Sequence, residues 1–225
     1  MEIIARIYTD LPEKFGIPRQ SGIVDGLCGK IVFEDKYRVK EALDGIEEFS
    51  HLWLIWQFSE NIRADWSPTV RPPRLNGNTR KGVFATRSPF RPNPIGLSCV
   101  KLISVEHDKN DGYTLIVGGV DMMNGTPIYD IKPYITYTDS RPDAIQGFAG
   151  DVMDYRLNVN FPENLLELLP AKKRKTAIEL LEQDPRPAYH DDAIRIYGMK
   201  YAGFDIKFCV DGNELTVVDV TCDSE

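Results

Sequence analysis

The chain has 225 residues, of which 42% are hydrophobic and 27% are charged, and its formal net charge is −7. This composition is ordinary for a globular protein and excludes a largely disordered chain. The sequence has no apolar run of about 18 residues and no basic, apolar leader at its start, so it predicts neither a membrane-spanning helix nor a secretion signal.

The first part of the chain is dominated by segments with strand character. These lie at residues 3–8, 30–34, 82–86, 96–105, 113–122 and 128–135. Apolar residues recur at helical spacing over residues 38–49, which predicts one helix there. The run HLWLIWQF at 51–58 has the length of a fully buried strand. Because strands and helices do not alternate, a small barrel or curled sheet is favoured over a doubly wound sheet.

The composition changes after about residue 145, which is typical of a domain boundary. Helices are predicted over 163–169 and 171–182, and strands over 194–201, 204–210 and 215–221, with a hairpin turn at 211–213. The sequence therefore predicts a mainly β protein. A compact β-barrel domain over residues 1–142 is followed by a small α+β domain over residues 143–225.

Basic residues are concentrated in one segment of this acidic chain. Residues 62–101 contain eight basic residues and a single acid, a local charge of +7. The basic residues are Arg63, Arg71, Arg74, Arg80, Lys81, Arg87, Arg91 and Lys101. A second basic run occupies residues 172–175. A local basic face suits RNA phosphates whatever the total charge, although a set of scattered surface arginines is an alternative interpretation.

The usual nucleotide, hydrolase and metal motifs are missing from the sequence. It contains no G-x-G-x-x-G, no G-x-x-x-x-G-K-[ST] and no G-x-S-x-G, and its four cysteines have no metal-ligand spacing. We therefore expect free thiols in a reducing, cytoplasmic compartment and no bound metal.

Three segments are unusually rich in glycine, proline, asparagine and arginine, at 16–20, 82–98 and 121–134. Proline fixes the backbone before a ligand arrives, and glycine lets the ligand approach closely. Rigid loops of this kind on a barrel favour a binding site, and tight structural turns are the alternative.

Six motifs, three of them within these segments, carry a family resemblance. The motifs are FSHLW at 49–53, RPPRLNGN at 71–78, GVFATRSPFRPNPIGLS at 82–98, NGTP at 124–127, DIKPY at 130–134 and QDPRPAY at 183–189. Together they resemble the TrmO family. The resemblance implies a homodimeric β-barrel enzyme that uses S-adenosylmethionine to methylate N6 of threonylcarbamoyladenosine at position 37, in the anticodon loop of tRNA.

The resemblance also assigns cofactor contacts by motif. They fall on Pro18, Arg19, Gln20, Phe58, Ser59, Glu60, Arg87, Leu97, Asn124, Gly125, Thr126 and Pro127. Many members of the family have histidine at the position of Ser59. The contacts of Ser59 and Glu60 are therefore expected to use the backbone if they form.

Methyl transfer from a sulfonium is an in-line displacement, so the protein mainly aligns donor and acceptor. The acceptor nitrogen is a weak nucleophile, and a base would help. Asp121 and Asp130 are the candidates, although a structural cap or an ion pair with Lys132 is an equal interpretation of Asp130. Lys132 and Tyr134 are candidates to position a carboxylate or phosphate.

Three arginines are further candidates for contact with the tRNA substrate, namely Arg74, Arg91 and, from the second domain, Arg186. Two other functions remain open at this point. A non-enzymatic RNA-binding barrel would explain the arginines, and a methyltransferase acting on a small molecule or a protein would explain a cofactor pocket.

Overall fold

A computed structural model describes residues 1–62, 65–72, 79–152, 155–187 and 192–223, with the backbone alone at 151–152. Its strands are β1 Ala5–Thr9, β2 Cys28–Phe33, β3 His51–Gln57, β4 Thr69–Val70, β5 Lys81–Gly82, β6 Ile95–Asp108, β7 Gly112–Gly118, β8 Thr126–Pro133, β9 Asn158–Asn160, β10 Tyr197–Tyr201, β11 Phe204–Asp211 and β12 Glu214–Cys222. Its α-helices are α1 Thr136–Asp139, α2 Glu163–Leu166 and α3 Ala171–Glu182.

Six strands close into an antiparallel barrel in the order β1-β2-β7-β6-β3-β8, which confirms the predicted barrel. Side chains alternate between the two faces of each strand. Ile7, Ile31, Leu54, Leu115 and Ile128 fill the interior and are fully buried. Closure pairs every strand with two neighbours, so the barrel has no open edge.

The antiparallel order brings three connections to one end of the barrel. The carboxyl ends of β1, β3 and β7 lie beside the amino ends of β2, β6 and β8. The connections that leave this end span residues 10–27, 58–94 and 119–125. They contain most of the three rigid segments. We call this end the loop end of the barrel.

The C-terminal part is a four-stranded sheet in the order β10-β11-β12-β9, with β9 parallel to β12. The predicted hairpin turn at 211–213 joins β11 to β12. Its buried side chains and those of the barrel form a single hydrophobic cluster that includes Leu11, Leu27, Leu181 and Met199. The division at residues 142 and 143 stays a prediction.

Two predicted elements are wrong. Residues 38–49 form no α-helix but lie in a series of short 3-10 turns, Asp35–Tyr37, Lys40–Leu43 and Ile46–Glu48. Gly45 has a φ of 85°, and this left-handed backbone interrupts a continuous helix. The predicted strand at 82–86 is also wrong, because Val83–Ala85 is a 3-10 turn that buries Val83.

Strand β3 is not fully buried as predicted. Leu52, Leu54 and Trp56 face the barrel interior, whereas Trp53 and Ile55 are only half-buried on the outer face. A closed barrel has one interior, so a continuous apolar run must place every second side chain outside. The run therefore creates an apolar patch on the outer wall.

Gly96 leaves room for the indole of Trp56 inside the barrel, because it has no side chain. A Cβ at this position would lie 2.2 Å from Trp56 Cε2. We expect Gly96→Ala to lower the free energy of unfolding by about 1–3 kcal/mol, because the rigid ring has to move in a packed core. Chemical denaturation measures the change.

Gly82→Ala is the matched control. Within the described residues, no heavy atom beyond its chain neighbours lies within 4 Å of a Cβ built at Gly82. Equal midpoints for the two variants would contradict the packing argument.

Candidate active site

The three rigid segments meet at the loop end of the barrel. Arg87 Nη1 donates a hydrogen bond to Gln20 Oε1, which joins the second loop to the first. The backbone amide of Gly22 donates to the carbonyl of Gly119 at 2.8 Å, which joins the first loop to the third. The structure thus assembles residues that are far apart in the sequence.

A hydrogen-bonded relay leads from the barrel interior to Asp121. Trp56 Nε1 donates to Ser98 Oγ at 2.9 Å, and Ser98 Oγ donates to Asp121 Oδ1 at 2.6 Å. Because the indole N–H occupies an acceptor position of the hydroxyl, the hydroxyl proton points to the carboxylate. The relay fixes the Asp121 carboxyl at the loop end.

Asp121 is placed to titrate near neutral pH. Burial raises the pKa of its carboxyl to about 6. The hydrogen bond from Ser98, the backbone amide of Ser21 and the charge of Arg87 act in the opposite direction and lower this pKa. A carboxyl with such a pKa is ionised at pH 7 and can still accept a proton.

Asp130 and Lys132 lie on the outer wall, away from this relay. Asp130 pairs in register with Ile55 and Lys132 with Trp53, the outward residues of β3. Lys132 Nζ lies 2.9 Å from Asp130 Oδ2. The ion pair that was the alternative interpretation of Asp130 is therefore present. Tyr134 is farther along the same wall, with its ring centroid 5.7 Å from that of Trp53.

The apolar patch on the outer wall forms a cleft of about 390 Å³. Its lining residues are Trp53, Ile55, Leu97, Lys132, Thr138, Asp139 and Arg141. The Trp53 indole donates to Asp139 Oδ2 at 3.0 Å. The backbone amide of Ile135 and this indole hold the pKa of Asp139 below its usual value. The cleft is distinct from the loop end, although Leu97 and Ser98 are neighbours on β6.

The other predicted cofactor residues at the loop end differ in burial and in hydrogen-bond partners. Pro18 is buried, and Arg19 Nη2 donates to the carbonyl of Asp184 in the C-terminal part at 3.3 Å. Phe58 packs on Trp56 with ring centroids 4.3 Å apart. Ser59 and Glu60 follow in a 3-10 turn, Ser59–Asn61. The Glu60 carbonyl accepts a hydrogen bond from Lys14 at 2.8 Å.

The NGTP motif builds a turn against β1. Asn124 Oδ1 accepts a hydrogen bond from the Thr9 amide at 3.1 Å, and Thr126 Oγ1 donates to the Met123 carbonyl at 2.7 Å. Gly125 has a φ of 78°, a left-handed backbone that favours glycine. Pro127 is buried opposite Arg6. The polar side chains of this motif are thus engaged in holding the loop.

The predicted substrate arginines differ in their surroundings. Arg186 is buried, and its Nε and Nη2 bind the two carboxylate oxygens of Asp184 at 2.8 and 3.0 Å. Arg91 is half-buried and donates to the carbonyl of Thr86 at 3.3 Å. Arg74 lies outside the described residues.

In the basic run at 172–175, Lys173 pairs with Asp10, and Lys175 lies 3.5 Å from Glu179. Arg174 donates to the carbonyls of Leu169 and Glu167. Three of the four side chains in this run therefore have partners within the protein.

Sequence reasoning missed Ser21, Ser98 and Trp56 as parts of the site. Strand alternation offered one signal, because Gly96 and Ser98 face inward on the same strand. Within the described ranges, no cluster of three or more histidine, cysteine or acidic side chains is arranged to hold a metal. No helix in the described part of the chain is long and apolar enough to cross a membrane.

Comparisons with known proteins match nearly the whole chain. The family model of the tRNA-methyltransferase O N-terminal domain matches residues 6–140, and that of the TrmO C-terminal domain matches residues 154–223. The chain is 41% identical over 217 residues to the tRNA (adenine(37)-N6)-methyltransferase of Escherichia coli K12, covering 93% of this chain and 92% of the relative.

Two further comparisons agree. A putative S-adenosylmethionine-dependent methyltransferase, RcsF of Pseudomonas aeruginosa, is 38% identical over 211 residues, covering 90% of this chain and 89% of the relative. A crystal structure of TrmO from Pseudomonas aeruginosa superposes with a TM-score of 0.76 at 30% identity, covering 97% of each chain.

Proposed function

The chain belongs to the TrmO family, and from this premise we propose that it methylates N6 of the adenine at position 37 of tRNA with S-adenosylmethionine as methyl donor. The observation that carries the proposal is the match of both family models, which together span residues 6–140 and 154–223. Relatives covering most of the chain carry the same activity in their names.

The loop end of the barrel has the chemistry that this cofactor requires. S-adenosylmethionine carries a carboxylate, an ammonium and a sulfonium, and it supplies an electrophilic methyl group when bound. Arg87 is an exposed cation suited to the carboxylate, and Asp121 is an anion suited to a cationic group. Phe58, which packs on Trp56, adds an aromatic surface at the same end of the barrel. Residues 18–20, 58–60 and 124–127 complete the proposed cofactor contacts at the loop end, whereas Leu97, which was predicted with them, lines the outer-wall cleft.

The residues at the loop end would orient the reactants and handle one proton. Arg87, held by Gln20, fixes one end of the donor. Asp121, held by Ser98, accepts the proton that the acceptor nitrogen loses. Asp130 is the weaker candidate for this base, because Lys132 already compensates its charge. On the outer wall, Lys132 and Tyr134 remain candidates to bind an acidic substituent of the methylated nucleoside.

The TrmO family also motivates proposals for the exact methyl acceptor and for the oligomeric state. We place the methyl acceptor as threonylcarbamoyladenosine in the anticodon loop, and the enzyme in the cytoplasm, where tRNA is modified. A homodimer is supported by exposed apolar residues on β6, since Leu97 and Ile103 are 55% and 51% exposed. These two residues would then meet the second copy.

Methyl transfer to defined tRNA tests the proposal. The purified chain, labelled S-adenosylmethionine and tRNA with or without the threonylcarbamoyl group should give methylated nucleoside only from modified tRNA, as read by mass spectrometry. Cofactor binding without any tRNA methylation would instead favour a small-molecule or protein methyltransferase. tRNA binding without cofactor binding would favour a non-enzymatic module.

Binding of tRNA should weaken as the salt concentration rises, because each contact between a basic side chain and a phosphate releases counterions. With four to six phosphate contacts, a plot of log affinity against log salt should have a slope of about −3 to −5. Arg74→Ala and Arg91→Ala should each reduce its magnitude by about one. Filter binding at several salt concentrations measures this.

The control is Arg156→Ala, which removes an exposed arginine of the C-terminal part that donates to the Tyr155 carbonyl. An affinity indifferent to salt would exclude the basic segment as the tRNA surface.

A further inference from the structure

Two large aromatic side chains lie together on the protein surface, outside the relay and the outer-wall cleft. Trp66 is 51% exposed and Phe84 is 73% exposed. Their ring centroids are 5.9 Å apart, and the ring planes are inclined by 31°. Exposed apolar rings are unfavourable in water, so a pair kept side by side suggests a binding surface. We call Trp66 and Phe84 the aromatic pair.

A small two-stranded ribbon holds the aromatic pair in place. Strands β4 and β5 pair Thr69 with Gly82, and the Val83 amide donates to the Pro68 carbonyl at 2.9 Å. Val83 is 1% exposed and anchors the turn that carries Phe84. The two rings are therefore positioned before any ligand arrives, which lowers the entropic cost of binding.

The surroundings of the aromatic pair are basic. Residues 62–101 contain eight lysines or arginines and one acid, Asp65, which is next to Trp66 in the sequence. Arg80 on this ribbon donates to Thr69 Oγ1 at 2.9 Å, and Lys81 lies over the ring of Phe148 at 5.3 Å. Aromatic rings interleaved with basic side chains are the features that bind single-stranded nucleic acid.

The aromatic pair is close to the candidate active site. Arg87 is three positions after Phe84 in the sequence, and such a stretch spans at most about 11 Å. Arg87 in turn binds Gln20 at the loop end of the barrel. A nucleotide stacked on Phe84 is therefore within reach of a base bound at the loop end.

We propose that the aromatic pair is a stacking platform for an unpaired base of the anticodon loop next to the adenine that is methylated. This inference rests on the proposed function. A base inserted between two rings needs them about 7 Å apart, because aromatic planes pack at about 3.5 Å. The separation of 5.9 Å is too small, so the base stacks on an outer face of the pair.

Basic flanks favour RNA over a second copy of this chain as the occupant. In a two-fold dimer formed through this surface, each copy would present the same basic segment to the other, and the like charges would repel. A phosphate backbone carries a charge at every nucleotide, and unpaired loop bases present the faces that aromatic side chains recognise.

The test combines affinity and fluorescence with an unmodified anticodon stem–loop RNA and with full tRNA. Trp66→Ala and Phe84→Ala should each weaken RNA binding and raise the KM for tRNA roughly 5- to 150-fold, the range of one lost base stack. Cofactor affinity and the melting temperature should stay unchanged, because both rings are exposed. Trp66→Phe should keep the affinity for RNA, because phenylalanine still offers an aromatic face. RNA should quench the tryptophan fluorescence of this variant less than that of the wild type.

Tyr137→Ala is the matched control, since it removes an aromatic side chain that is 88% exposed and outside the basic segment. If Trp66→Ala and Phe84→Ala both bind and methylate tRNA as the wild type does, the stacking platform is overturned and the proposed function is not. A shift from dimer to monomer in light scattering, with RNA affinity per protomer intact, would overturn it in favour of a protein interface. Failure of the wild-type chain to bind or methylate tRNA would overturn the proposed function as well.

Discussion

Replacing Arg87 with alanine should weaken cofactor binding about 10- to 100-fold and leave the fold intact, because a charge-assisted contact of roughly 1.5–3 kcal/mol is lost. Arg87 is exposed, and its bond to Gln20 lies at the surface. Little burial depends on it, so the melting temperature should barely change. Calorimetry with S-adenosylmethionine, a methyl-transfer assay and a melting curve on the same preparation separate the two effects.

Arg156→Ala is again the control for removal of one exposed charge, and it should retain full activity. Arg87→Lys should recover part of the affinity, because lysine keeps the charge but not the planar fork. If the fold were lost together with activity, Arg87 would have to be assigned a structural role in joining the loops.

Asp121→Asn should lower methyl transfer about 100- to 10,000-fold, the usual contribution of a general base, and at the same time stabilise the protein. Asparagine can still accept the hydrogen bond from Ser98 but carries no charge that burial disfavours. Burial raises the pKa of Asp121 from 3.8 to about 6, so the folded wild type binds the proton more tightly than the unfolded chain does.

Ionisation of Asp121 therefore removes part of the stability of the wild-type chain as the pH rises from 3.8 through about 6, and the asparagine variant lacks this contribution. Above pH 7 the variant should be more stable, by at most about 3 kcal/mol, and the difference should vanish below pH 4. Urea denaturation across this pH range measures it.

Asp130→Asn is the matched control, because it removes an exposed ion pair that contributes little to stability. Loss of activity in Asp130→Asn with retention in Asp121→Asn would exchange the roles of the two carboxylates.

The barrel and the three loops of the candidate site were predictable from the sequence for different reasons. The barrel follows from strands without alternating helices, and the loops follow from their glycine, proline and arginine content. The helix predicted over residues 38–49 was wrong because the spacing of apolar residues does not reveal the left-handed backbone conformation of Gly45. Short turns that lie on a barrel can show the same spacing as a helix.

The relay at Asp121 could not be predicted from local pattern. Ser98 and Asp121 are 23 residues apart, and they meet because β6 and β7 pair in one register and close into a barrel. A one-residue change of register would turn Ser98 to the outer wall. Tertiary closure, which no short motif encodes, therefore determines which carboxylate has a raised pKa.

The single hydrophobic cluster shared by the barrel and the C-terminal part has a consequence for cooperativity. The loop that carries Arg19 and Gln20 lies against this cluster, with Gly16 beside Met199 and Arg19 bonded to Asp184. Local opening of the C-terminal sheet would therefore release the first loop from one of its supports. Substitutions in that sheet are therefore expected to act at a distance on the loop end.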